Sequence, residues 1–164
     1  MNKEAQQEQI AAVFTGVDAH LVTAELIRSH STNREDIREV ALRGLDLRPC
    51  RRILDLGCGF GFFSEALRNR VGPGARLTGL DMIPAYERLF LDVCRRIGVR
   101  GRFIAAPVSH VETLPERSWD LVLCSYALYF FPEITVRIAR LLAAGGIFIA
   151  ITHGEKNMGE LFTA

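Results

Sequence analysis

Residues 55–63, Asp55-Leu56-Gly57-Cys58-Gly59-Phe60-Gly61-Phe62-Phe63, follow directly on Arg52-Ile53-Leu54 and constrain the fold more than any other stretch. An apolar run that ends in an acid and then breaks into alternating glycines reads as a buried strand turning sharply into a helix. Gly57 and Gly59 leave out the Cβ where the backbone must turn tightly or admit a ligand closely. The N–H groups that open the following helix then point at whatever lies over the turn. Such a turn is a ligand cradle, and the ligand must be read from what surrounds it.

A dinucleotide-binding turn would read G-x-G-x-x-G, with a pyrophosphate on the helix N-terminus. Here the glycines fall as G-x-G-x-G, and Phe62 holds the place of the third glycine of the dinucleotide pattern. Asp55 adds a negative charge beside the turn, which suits a cation better than a diphosphate. The run Ile53-Leu54-Asp55-Leu56-Gly57-Cys58-Gly59-Phe60-Gly61 resembles the first motif of the class I S-adenosylmethionine-dependent methyltransferases, an apolar strand followed by (D/E)-x-G-x-G-x-G. S-adenosylmethionine carries an ammonium and a sulfonium and no phosphate, in keeping with that acid. The resemblance covers about residues 34–153.

The chain of 164 residues fits one domain with a three-layer core. Hydrophobic residues make up 49% and charged residues 24%, which excludes a disordered chain. A net charge of +1 argues against a dedicated nucleic-acid binder, which would show a basic stripe. The arginines at 48, 51 and 52 and at 95, 96, 100 and 102 read as solvated faces beside buried strands. Cys50, Cys58, Cys94 and Cys124 form no C-x-x-C and no zinc spacing, so no metal is expected. Free thiols in apolar segments fit a reducing, cytoplasmic setting. The polar start predicts no secretory leader, and no apolar run approaches the length of a membrane span, so no membrane partner is expected.

Hydrophobic spacing predicts amphipathic helix over 6–30, then a helix over 34–45 opened by a Thr32/Glu35 capping box, with Ile37, Val40, Ala41 and Leu45 on one face. From there strands are predicted at 52–56, 76–80, 102–106, 119–125 and 147–152. Helices are predicted between them at 62–71, 84–97 and 132–144, the last ended by Gly145-Gly146. Leu89, Val93 and Ile97 form the apolar stripe of the second of these helices, and Ile134, Ile138 and Leu141 that of the third. This alternation means an α/β fold, a doubly wound, Rossmann-like parallel sheet of about five strands with helices on both faces. Residues 1–33 are expected to form a helical lid on a binding domain spanning 34–164. The resembling family's sheet usually has seven strands, the last two antiparallel. Those strands are expected to be missing here, through truncation, a short family member, or another chain covering the edge. An uncovered edge strand invites pairing, so a homo-oligomer through that edge is one expectation.

The resemblance assigns further residues. Asp81, twenty residues after Gly61 at the end of the second strand, matches the acid that accepts both ribose hydroxyls of an adenosyl group. Met82, next to it, would pack against the adenine. Aligning on Leu114-Pro115 puts His110 where the family commonly has an Asp that bonds the adenine amine. A neutral imidazole can accept that bond, Ser109 could serve instead, and the main-chain N–H of Val111 could contact the ring without either. With these, the cofactor-binding set is Asp55, Gly57, Cys58, Gly59, Gly61, Asp81, Met82, His110, Val111 and Ser125.

Trp119-Asp120-Leu121-Val122 resembles the opening of the family's fourth strand, which here runs on into Ser125, Tyr126 and Tyr129. Ligands of open α/β sheets bind outside the carboxyl strand ends, so these residues are expected near the transferred methyl. The aromatic cluster there either lines a small-molecule pocket or packs under a lid. The (N/D)-P-P-(Y/F) signature of the family's amino-group enzymes is missing, which argues against those substrates. Tyr126, Tyr129 and Phe14 are the expected acceptor-side residues, and Tyr126 and His153 the catalytic candidates. His153 would be the general base if one is needed, or else a polar loop residue. The implied activity is in-line methyl transfer to a small-molecule acceptor. The alternatives are a nicotinamide-dependent oxidoreductase, disfavoured by Phe62, and a cofactor-binding protein without turnover.

Overall fold

The computed structural model describes residues 35–154 and, ahead of them, residues 21, 22, 24, 25, 29 and 30, which are helical. Strands β1 (Arg52–Leu56), β2 (Arg76–Asp81), β3 (Arg100–Ala105), β4 (Trp119–Ser125) and β5 (Leu142–Ile151) form one sheet in the order β3-β2-β1-β4-β5. Every neighbouring pair is parallel, as the alternation predicts. Helix α1 (Ile37–Leu42) precedes β1, and helices α2 (Glu87–Ile97) and α3 (Thr135–Leu141), together with short 3-10 turns, connect the strands.

The central strands are apolar on both sides because both sides are covered. Ile53, Leu77, Leu121 and Leu123 pack with Leu42, Leu67, Phe90 and Cys94 on one face. Leu54, Leu56, Leu80, Val122 and Cys124 pack with Val111, Ile138 and Leu141 on the other. Burying one such side chain fully stabilises the fold by about 1.5–3 kcal/mol. Two separate apolar layers on one sheet are what doubly wound means in energetic terms.

Several local expectations need correction. The helix expected over 34–45 is the shorter α1. Its cap is Asp36, whose carboxylate accepts the Arg38 N–H at 2.9 Å, and Thr32 lies outside the described residues. Leu42 is its buried residue, while Val40 and Leu45 are 40% and 39% exposed. The helix expected over 62–71 shrinks to a 3-10 turn, Ser64–Leu67. Its side chain at Ser64 bonds inward to Asp55, and Asn69 at φ 60° takes the chain out of any helical path. In α2 the buried residues are Phe90, Val93 and Cys94, so the inward stripe is rotated by about one residue from Leu89. The helix expected over 132–144 is α3, preceded by a 3-10 turn at Pro132–Ile134. Gly145 and Gly146 do not end it but lie inside β5, where the register slips between Trp119/Leu142 and Leu121/Ile147. Gly145 at φ 75° supplies the irregularity.

Most of the expected lid, Phe14 included, lies outside the described residues. Of its large apolar side chains, Leu21 and Val22 are described and are 39% and 68% exposed. Among the described residues, β3 pairs only with β2 and β5 only with β4, so each presents one edge. No described helix is long and apolar enough to cross a membrane.

Candidate functional site

The chain order reverses at β1, which has β2 on one side and β4 on the other. In open α/β sheets a crevice opens at such a switch point, outside the carboxyl strand ends. Leu56 is level with Leu80 in β2 and with Cys124 in β4. The ends of these three strands therefore meet at one place: the glycine turn after β1, Asp81–Ile83 at the end of β2 and Ser125–Tyr126 at the end of β4.

The turn needs its glycines. Gly57, Gly59 and Gly61 have φ of 66°, 49° and 88°, a region that side chains make costly. A Cβ on Gly57 would also stand 2.6 Å from the Ala127 Cβ, so the turn is pressed against the exit of β4. Gly57 N–H donates to the Leu80 carbonyl at 2.8 Å, and Gly61 N–H to the Cys58 carbonyl at 2.9 Å. The Cys58 thiol points inward, to the space that Gly79 leaves open: a Cβ at Gly79 would lie 2.6 Å from that sulfur. Burial pushes the thiol well above its ordinary pKa. Cys58 can therefore offer a ligand its backbone, not its sulfur.

The two acids of the site differ in kind. Asp81 is half-buried at the rim; Gly59 N–H donates to its Oδ2 at 2.8 Å and Ile83 N–H to its Oδ1 at 3.0 Å. These bonds tie the glycine turn to the end of β2, with Met82, also half-buried, between them. Asp55 is 1% exposed and sits under the turn, not beside it. Its Oδ2 accepts the Ser64 hydroxyl at 2.6 Å. Burial drives its pKa up to about 7, the Ser64 bond pulls the other way, and the Asp81 charge adds to the rise.

Past β3, His110 and Val111 lie on a 3-10 turn, Val108–Thr113. His110 Nε2 is 3.3 Å from the Thr113 hydroxyl, Ser109 is exposed, and the Val111 side chain is buried in the layer of Leu54, Leu56 and Leu80. Arg137 of α3 clamps this segment. Its guanidinium donates to the carbonyls of Val111 at 3.1 Å, Glu112 at 3.2 Å and Leu114 at 2.7 Å, and it pairs with the Glu116 carboxylate.

Beyond β4, Tyr126 takes φ 54°, rare for a bulky residue, and its N–H donates to the Ile151 carbonyl at 2.8 Å. This turns its ring to His153, with centroids 4.8 Å apart. Tyr129 closes the group, 5.9 Å from His153 and 4.3 Å from Phe130. Burial raises the pKa of both Tyr126 and Tyr129. The structure thus brings together Tyr126, Tyr129 and His153 as one aromatic group, and the glycine turn with Asp81 as another. Two surface hollows lie elsewhere, one of 500 Å³ lined by Arg117, Val136 and Arg140 and one of 380 Å³ by Arg38, Glu65 and Arg70. Neither includes a predicted site residue. Among the described residues, no group of three or more His, Cys, Asp or Glu could hold a metal ion.

Sequence reasoning passes over Ser64, Gly79 and Arg137. A lone glycine inside the apolar strand 76–81 is the signal for close approach at Gly79. Ser64 and Arg137 give no such signal, since each acts on a partner distant in sequence.

Residues 53–146 match a family of proteins described as methyltransferase domain. The malonyl-[acyl-carrier protein] O-methyltransferase of Serratia marcescens is 28% identical over 98% of this chain and 58% of its own length. The nocamycin O-methyltransferase of Saccharothrix syringae is 32% identical over 71% of this chain and 44% of its own length. The chain thus spans about half the length of these curated relatives. A SAM-dependent methyltransferase from Geobacter sulfurreducens, solved in complex with S-adenosyl-L-homocysteine, superposes with a TM-score of 0.54 at 24% identity. It covers 76% of this chain and 53% of that one, a likeness of fold.

Proposed function

The chain belongs to the methyltransferase domain family, of the class I type that its first motif resembles, and from that premise we propose that it transfers a methyl group from S-adenosylmethionine to a small-molecule acceptor. The observation that carries this reading is the join between Gly59 and Asp81, which sets an acid against a glycine turn at the switch point. The donor set fits a cationic, phosphate-free ligand. Asp81 lies at the rim of the turn and the buried Asp55 beneath it, and no Lys or Arg lies in 53–63. Arg38 reaches the Phe62 carbonyl at 3.1 Å, but its charge is paired with Asp36 and Glu65.

Bound S-adenosylmethionine supplies a methyl group already activated on a sulfonium. The protein's task is then alignment, which can be worth several kcal/mol of barrier without any acid or base. In this reading the backbone of Gly57, Cys58, Gly59 and Gly61 lines the cofactor, and Asp81 accepts the ribose hydroxyls. Met82, His110 and the Val111 N–H take the adenine, and Ser125 closes the β4 side. Tyr126 and Tyr129 wall the acceptor. His153, held against Tyr126, takes the proton of an acceptor hydroxyl when there is one to remove. Two relatives that are O-methyltransferases support an acceptor oxygen. Residues 1–33, with Phe14, would act as the lid that excludes water. Four buried free thiols support a reducing, cytoplasmic setting.

Calorimetric titration with S-adenosylhomocysteine and, separately, with NAD tests the reading. Binding of the first and not the second is expected; the reverse would return the chain to the oxidoreductase alternative. Tight binding with no methyl transfer across a broad acceptor screen would point to a binding protein without turnover.

A further inference from the structure

Asp55 cannot act by touch, because it is 1% exposed and its hydroxyl partner Ser64 is 0% exposed. Among the described residues, the titratable groups coupled to it by charge are Asp81 from β2, Cys58 from the turn, Cys94 from α2 and Cys124 from β4. All are acids or thiols, and among the described residues Asp55 forms no ion pair. An ionised carboxylate buried without a cation is costly, and neutralisation is the usual escape. The acid nevertheless lies two residues before Gly57, directly under the turn. A positive charge placed over that turn acts on it through protein rather than through water.

We propose that Asp55 is a buried counter-charge that makes the glycine turn select the cationic methyl donor over its neutral thioether product. The proposal rests on the methyl-transfer reading above. S-adenosylmethionine carries one more positive charge than S-adenosylhomocysteine, and they differ otherwise by one methyl group. When the cation enters, the Asp55 carboxyl gives its proton to solvent and pairs electrostatically with it. When the sulfur becomes neutral, Asp55 takes a proton back and its attraction for the ligand falls. A titration midpoint of about 7 puts this exchange near neutral pH. Asp55 is thus a positioning residue that works through charge and favours release of product.

The test is calorimetry of both ligands in two buffers of different ionisation heat, at about pH 6 and about pH 8. Wild type is expected to release protons on binding S-adenosylmethionine near neutrality and few on binding S-adenosylhomocysteine. A one-unit lowering of the Asp55 pKa, from about 7, corresponds to roughly a fivefold gain in preference for the donor between the two pH values. Asp55→Asn should lose both the proton release and the pH-dependent preference. Ser64→Ala should move the release to higher pH, since the hydroxyl favours the ionised form. A purely structural Asp55 would weaken both ligands alike and change no proton count. Equal proton release for both ligands, or a preference that ignores pH, overturns the proposal even if Asp55→Asn does not fold. Failure of either ligand to bind wild type would instead overturn the methyl-transfer reading and the proposal with it.

Discussion

At the scale of single residues, Asp55 links the site to stability. Its carboxyl titrates at about 7 in the fold, against about 3.9 in an unfolded chain. Between those values the folded state holds a proton that the unfolded state has lost, so stability falls as pH rises through that window and levels off above it. Asp55→Asn keeps a partner for Ser64 and has no charge to bury. Its melting temperature relative to wild type should therefore climb from about pH 4 to about pH 7, read by thermal melts of the two proteins side by side. A difference that stays flat across the window would mean that Asp55 is already ionised when buried. Asp81→Ala is expected to weaken S-adenosylhomocysteine by about 1–3 kcal/mol through lost charge-assisted bonds, measured by calorimetry. Gly57, Gly59, Gly61 and Asp81 are legible in the sequence because a turn with positive φ and a strand-end acid are local demands. The inward course of Asp55 is half legible. It shares the parity of buried Ile53 in β1, but its partner Ser64 comes from a turn whose path no spacing reveals.

At the scale of elements, what packs matters more than what repeats. The strands are legible, and β4 at Trp119–Ser125 matches its predicted span, because burial on both faces leaves a continuous apolar run. The segments beside the turn are not. Residues 62–71 carry helical spacing, yet Ser64 turns to Asp55 and the helix gives way to a 3-10 turn. Gly145-Gly146 looks like a helix end and proves to be an irregularity within β5, since strand pairing outweighs a local stop signal. Gly79 lets α2 and the turn close on β2, with the Phe90 ring also 2.6 Å from the absent Cβ. Gly79→Ala should cost about 1–3 kcal/mol by overpacking, seen as a lower denaturation midpoint with an unchanged slope. Arg137 holds the segment with His110 and Val111 by three carbonyls. Arg137→Ala should speed amide exchange over 108–114 while leaving β1 and β2 protected. Uniform loosening would make Arg137 a general stabiliser instead of a clamp.

At the scale of the whole molecule, the parallel order β3-β2-β1-β4-β5 creates the crevice before any side chain is chosen. The glycine turn, Asp81, Met82 and Ser125 follow from that order, since β2, β1 and β4 end side by side, while His110 and Val111 come from the turn after β3. The acceptor is the part least written in sequence or fold. In the proposed reading it depends on the aromatic group of Tyr126, Tyr129 and His153, and such surfaces follow no readable code. A crystal structure grown with S-adenosylhomocysteine decides the matter most directly. The ligand is expected across residues 57–61, its ribose hydroxyls within hydrogen-bond distance of the Asp81 carboxylate and its sulfur facing Tyr126. A ligand seated away from the glycine turn, or with its sugar held by some other residue, would contradict it.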